Sequence, residues 1–141
     1  MDYLELIAKL KSLSGSYNPF IICAFLNIDI RYVPFLDNPR GQFQEILNRK
    51  VIFLSDSLME SPERFYVCTH ELGHALLHEG ISNYYVLNRT TRSKMESEAD
   101  RFATNILLSC HKEDTGSYPR KFEHLQTAYG VPLKSERYLL D

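Results

Sequence analysis

The chain has 141 residues, the length of one domain that buries roughly two-thirds of the surface its unfolded form exposes. Apolar residues make up 44% and charged residues 24%, a globular balance that excludes a disordered chain, a collagen-like repeat and a coiled-coil rod. With 16 Lys and Arg against 18 Asp and Glu the net charge is −2, so nothing drives the whole chain toward nucleic acid or an anionic membrane.

Leu6, Ile7, Leu10 and Leu13 fall at helical spacing and predict an amphipathic helix over residues 3–13. This N-terminus mixes Asp2, Glu5, Lys9 and Lys11 with its apolar residues, unlike a signal peptide. Asn18-Pro19 reads as the cap and first residue of a second helix to Phe25 or Leu26. That apolar run is far short of the roughly 20 residues that span a bilayer. Ile28 to Val33 reads as a strand stopped by Pro34, and residues 37–41 as a loop. Residues 42–47 and 50–55 read as a hairpin turning at Asn48-Arg49.

Ser61-Pro62-Glu63 starts the next helix, expected to run to about Glu79 and stop at Gly80. Residues 81–92 read as a loop, about 93–109 as a long helix, 111–118 as a loop and Pro119 to Tyr129 as a helix ending at Gly130, with a short helical tail. Cys23, Cys68 and Cys110 are odd in number and form no C-x-x-C pair, so three free thiols in a reducing compartment are expected. The expectation is an α+β, cytoplasmic, soluble protein in which residues 1–141 form one domain and 119–141 a helical appendage.

His70-Glu71-Leu72-Gly73-His74 is an H-E-x-x-H pattern. Residues four apart share a helical face, so both imidazoles can reach one metal ion. Glu71 stands beside the first ligand, where a carboxylate can take a proton from a water that the metal activates. A chain of this composition produces the pattern by chance about 0.013 times, so its context matters. Here it lies inside a helix with a start and a stop signal, and Phe65, Leu72, Ala75 and Leu76 can pack its other face into a core.

A catalytic zinc takes three protein ligands and keeps one position open. His78 continues the spacing of four, but it lies about 12 Å along the helix from His70, too far for all three rings to converge. It is read as a residue behind the ligands, facing substrate, or structural. Glu96 and Asp100 share one face of the next helix. Glu96 is the better third ligand, and Asp100 can accept the free N–H of a ligating histidine. Glu98 is the second choice. Ser93-x-x-Glu96 also reads as a capping box, a role that a helix starting at Thr90 or Thr91 would remove. Two histidines and a carboxylate suit Zn2+, although iron or manganese fit the same set.

His70-Glu71-Leu72-Gly73-His74-Ala75-Leu76-Leu77-His78, followed by Glu96-x-Glu98-Ala99-Asp100-Arg101-Phe102-Ala103 and Leu107-Leu108, resembles the ImmA/IrrE family of bacterial metallopeptidases. The likeness covers roughly residues 18–110. It implies a small zincin-like, gluzincin-type domain: a short antiparallel sheet whose hairpin packs on the motif helix, and a second helix that carries the third ligand. It implies His70, His74 and Glu96 as ligands and Glu71 as base. It also implies a protein substrate, a helix-turn-helix repressor of a phage or mobile element. The family's Leu-Leu-Met-Pro is here Leu107-Leu108-Ser109-Cys110. Tyr84, Tyr85, Arg89 and His111 are candidates for stabilising the transition state, and Cys110 and His111 lie near the end of the second helix.

A non-catalytic anti-repressor with a structural or vestigial metal site is the alternative. Glu71 discriminates, because a structural zinc needs no base. A third reading takes Leu125 to Pro132 as the turn of a helix-turn-helix, but the net charge and a short second helix favour a hairpin packed on the core. Direct nucleic-acid binding and membrane association are not expected. Oligomeric state is not legible.

Overall fold

The computed structural model describes residues 3–34, 39–78 and 88–140. Its elements are α1 (Tyr3–Ser14), α2 (Pro19–Phe25), β1 (Ile28–Val33), β2 (Gly41–Ile46), β3 (Arg49–Ser55), α3 (Glu63–Leu77), α4 (Arg89–Thr115) and α5 (Phe122–Tyr129), with 3-10 turns at Asp56–Leu58 and Leu133–Leu140. This is the expected α+β fold, with the H-E-x-x-H motif on a helix. Asn18 caps α2 by accepting the Phe20 N–H at 2.9 Å, with Pro19 next in line. Ser61 Oγ accepts the Glu63 N–H at 3.1 Å where α3 starts.

The sheet order is β1-β3-β2. β2 and β3 form the expected antiparallel hairpin, but β1 lies on the other side of β3 and parallel to it, so the sheet is mixed and not wholly antiparallel. Ile46 pairs with Arg49, so the turn residues are Leu47 and Asn48, one position earlier than the sequence suggested. Both adopt left-handed φ, 50° and 66°, which suits the twist of a two-residue hairpin. The buried positions of β3 fix this register, since a one-residue slip would turn Ile52 and Leu54 outward. Leu47, with its side chain in solvent, accepts the unfavourable backbone.

Ile52 and Leu54 of β3, Leu72 of α3 and Phe102, Ile106 and Leu107 of α4 are fully buried in one hydrophobic cluster that α1, α2 and α5 also join. All three cysteines are buried and free. α4 crosses α3 at Gly73, where a Cβ would come within 3.0 Å of the Phe102 ring and 3.3 Å of the Ala99 backbone. The missing side chain lets the helices meet between His70 and His74.

α4 is longer than the sequence suggested at both ends. Asn88 caps it, accepting the Thr91 N–H at 2.8 Å, so residues 89–92 are helical and Ser93–Glu96 is no capping box. It continues through Cys110 and His111 to Thr115 and stops at Gly116 (φ 89°). The polar segment 111–115 is held helical by Glu113 and Asp114, which reach α1, the α1–α2 turn and α5. α5 begins at Phe122 rather than Pro119. The Leu133–Leu140 turn folds back on α4 with Ser135 and Tyr138 buried, and among the described residues no second α-helix of a helix-turn-helix follows Gly130. No helix among the described residues is long and apolar enough to cross a membrane.

Candidate metal centre

α3 stacks His70 and His74 one turn apart, ring centroids 4.8 Å from each other. Glu96 comes down from α4 across both. Its Oε1 is 3.2 Å from His70 Nε2 and its Oε2 is 2.7 Å from His74 Nε2. Donors 2.0–2.1 Å from a tetrahedral zinc lie about 3.3 Å apart. Two imidazole nitrogens and a carboxylate at these separations therefore fit a divalent cation.

The opposite ring nitrogens are tied down as well. His70 Nδ1 lies 2.8 Å from Asp100 Oδ1, which also accepts the Tyr66 hydroxyl at 2.6 Å. That hydroxyl is in turn 3.2 Å from Ser135 Oγ. His74 Nδ1 lies 2.9 Å from His78 Nδ1, and His78 Nε2 lies 3.1 Å from Glu98 Oε1. Such partners fix tautomer and ring orientation. Glu98, the second choice for a ligand, is thus turned to His78 and not to the histidine pair.

Glu71 stands apart from the Glu96 bridge. Its Oε1 accepts the Phe43 N–H of β2 at 2.8 Å, and its Oε2 is 4.0 Å from His70 Nε2. The strand can come this close because Gly41 has no side chain: a Cβ there would lie 2.4 Å from Val67 Cγ1 and 3.4 Å from Glu71 Cγ. Ser55 N–H donates to the Arg40 carbonyl, so the alternation of an antiparallel ladder turns the Phe43 N–H away from β3 and toward α3.

Electrostatics follow this layout. Burial works against a charged His70, but Asp100 on one nitrogen and Glu96 on the other push its pKa up to about 10. Burial likewise opposes the charge of Glu96 and Asp100. The two imidazoles hold Glu96 well below the carboxylate range, and His70 and Tyr66 lower Asp100. Burial pushes Glu71 up, against the pull of His70, His74 and the Phe43 N–H. Burial lowers His78, with Glu98 opposing.

The structure therefore brings together His70, Glu71, His74, His78, Glu96 and Asp100. Tyr84 and Tyr85 lie outside the described residues. His111 is not at the centre. It sits about 22 Å along α4 from Glu96, 3.0 Å from the Ser117 carbonyl and stacked near His124. Cys110 is at that same distant end, in contact with Asp114. Sequence reasoning missed Tyr66, which its position four residues before His70 could have signalled, and the Phe43 N–H, which no sequence pattern marks.

The chain matches the peptidase-family model described as the IrrE N-terminal-like domain over residues 23–140. It is 34% identical over 94 residues to uncharacterized immunity region protein 2 of Bacillus phage phi105, covering 64% of this chain and 58% of that protein. It is 28% identical over 103 residues to metallopeptidase ImmA of Bacillus subtilis (strain 168), covering 67% of this chain and 56% of that protein. The chain thus spans a little over half the length of these relatives. No solved structure matches. With most of its length matched, the chain belongs to the ImmA/IrrE family.

Proposed function

We propose, from this membership, that the chain is a zinc-dependent endopeptidase domain, residues 1–141 acting as one unit with 119–141 as its C-terminal appendage. His70, His74 and Glu96 would hold the metal, and Asp100 and His78 would orient the two histidines. A bound zinc supplies a Lewis acid that polarises the scissile carbonyl and makes a nearby water a better nucleophile. The observation that carries this reading is the division of labour between two glutamates. Glu96 bridges both imidazoles, while Glu71 is left beside them, oriented by a backbone N–H.

Glu71 would accept the proton of the attacking water and deliver it to the leaving amine. Its raised pKa suits both transfers, because a base that is too weak cannot take a proton and one that holds it too tightly cannot pass it on. β2 is an edge of the sheet, and an extended peptide laid along it would add as a further strand beside Glu71. Glu45 shares the outward parity of Phe43, so its backbone is the probe of that edge. Gln44, which faces β3, is not.

The substrate would be a DNA-binding repressor of a mobile element, a reading that the phage immunity-region relative supports, and the setting cytoplasmic. Glu71 beside the donor set favours this over the non-catalytic anti-repressor. The test is elemental analysis with a cleavage assay on candidate repressors. Wild type should hold about one zinc, lost in Glu96→Ala and kept in Glu98→Ala, with His78→Ala still filling when zinc is in excess. Glu71→Gln should keep the metal and lose about 10²–10⁴-fold in rate. A Glu96→Ala protein that still binds zinc like wild type overturns the ligand set. A fully active Glu71→Gln overturns the mechanism.

A further inference from the structure

Next to the donor set, a cleft of about 420 Å³ opens between α4 and the Leu133–Leu140 turn. Arg89 and Arg92 line it from the first turns of α4, and Lys134 and Arg137 from the opposite wall. Its only acids among the described residues are Glu96 and Asp100, and both are engaged by the histidines, at 2.7 to 3.2 Å. Lys134 makes a long ion pair with Asp100 Oδ2, at 3.9 Å, from an exposed side chain. Four cations thus gather around one opening in a chain whose net charge is −2. The Lys134 and Arg137 side chains are exposed, with Arg137 donating to the Tyr138 hydroxyl at 2.9 Å, and the start of α4 already has its cap in Asn88.

We infer that this cleft is a specificity pocket for an acidic residue of the peptide substrate, an Asp or Glu side chain held by Arg89, Arg92, Lys134 and Arg137. The inference rests on the proposed peptidase reading, because Glu96 is both a wall of the cleft and a member of the donor set. Arg92 lies about 6 Å and Arg89 about 10 Å along α4 from Glu96. An extended peptide advances about 3.3 Å per residue, so the acid would sit two or three residues from the scissile bond. Guanidinium groups suit this task, since they bind carboxylates through paired hydrogen bonds. An acidic segment is also the partner that a basic cleft selects from among the exposed segments of a regulator.

The test uses blocked, otherwise uncharged decapeptides that carry one Glu at successive positions, each paired with its Gln counterpart. Binding to zinc-supplemented Glu71→Gln protein is read by fluorescence anisotropy, and cleavage by wild type is read by mass spectrometry. At one position the Glu peptide should bind about tenfold more tightly than the Gln peptide. Lys134→Gln/Arg137→Gln should abolish the difference, and Arg89→Gln/Arg92→Gln, on the other wall, provides a second variant should the first fail to fold. Equal affinities at every position overturn the inference, as does a preference that survives both double variants. Duplex DNA that displaces the Glu peptide in wild type but not in the double variants also overturns it, since the cleft would then serve nucleic acid. A Glu preference without any cleavage supports the pocket and counts against the peptidase reading, so the two can fail separately.

Discussion

The two ends of α4 carry the same kinds of residue and put them to different uses. At the N-terminal end, Glu96 bridges two imidazole nitrogens at 3.2 and 2.7 Å, and each imidazole is held from behind. At the C-terminal end, Cys110, Glu113 and Asp114 also bring donor atoms within 4.8 Å of one another. There the donors are spent on the fold: Glu113 takes Lys11, Ser16 and the Tyr17 N–H, and Asp114 takes the Tyr129 hydroxyl and the Cys110 thiol. Burial pushes the Cys110 thiol up to about 12, so it stays protonated, whereas a metal needs the thiolate. A cluster of ligating residue types becomes a site only when its donors point at a common place and their other atoms are held elsewhere.

The sharpest way to break this comparison is to remove the holding groups at one end and the donors at the other. Asp100→Asn and His78→Ala should each weaken zinc binding by about 10–100-fold, the usual cost of losing a partner behind a ligand. Cys110→Ser and Asp114→Asn should leave it unchanged. Competition against a chromophoric chelator measures all four. Equal losses at both ends would mean that the groups behind the histidines do not tune the metal.

Acidity gives a second contrast. In the metal-free protein His70 lies between two carboxylates with its pKa near 10, so it is an imidazolium at neutral pH. A cation at Nε2 must expel that proton. Apparent zinc affinity should therefore rise by about tenfold per unit between pH 7 and 9, as the competing proton is removed. Glu96 and Asp100, held low, stay charged over this range and add no slope. Asp100→Asn withdraws one of the groups that raise His70, so its affinity curve should level off at lower pH. A wild-type affinity already flat from pH 7 would show that no proton on His70 competes with the metal.

Much of this centre could be read from the chain because it obeys helical spacing. His70 and His74 share a face by period, and Glu96 and Asp100 share one on the next helix. What escaped depends on contacts distant in sequence. The Phe43 N–H lies 28 residues from Glu71, and its approach rests on Gly41 meeting Val67. Residues 89–92 and 111–115 have too few apolar side chains to show a period, and Asn88 and Glu113 decide their helicity. The hairpin slipped by one because an exposed leucine, a poor turn former, took a left-handed conformation that the burial of β3 imposed.

The smallest expected effect isolates the structural end. Glu113 accepts Ser16 Oγ at 2.6 Å, Lys11 Nζ at 2.8 Å and the Tyr17 N–H at 3.1 Å, tying α1 and the turn after it to α4. Burial opposes its charge, but Lys11, Ser16 and Tyr17 hold its pKa below the ordinary 4.5. A depressed carboxylate stabilises the fold above the unfolded pKa, and that contribution is lost as pH falls through the folded one. Solvent screens the Lys11 pair, so Glu113→Gln should cost about 1 kcal/mol at pH 7, most of it from the hydrogen bonds to Ser16 and Tyr17. The gap between variant and wild type in urea unfolding should narrow as pH drops below about 4. Zinc stoichiometry should stay at wild-type level throughout. A variant that loses metal along with stability would mean that α4 transmits strain from one end to the other, and the two clusters would then be one system.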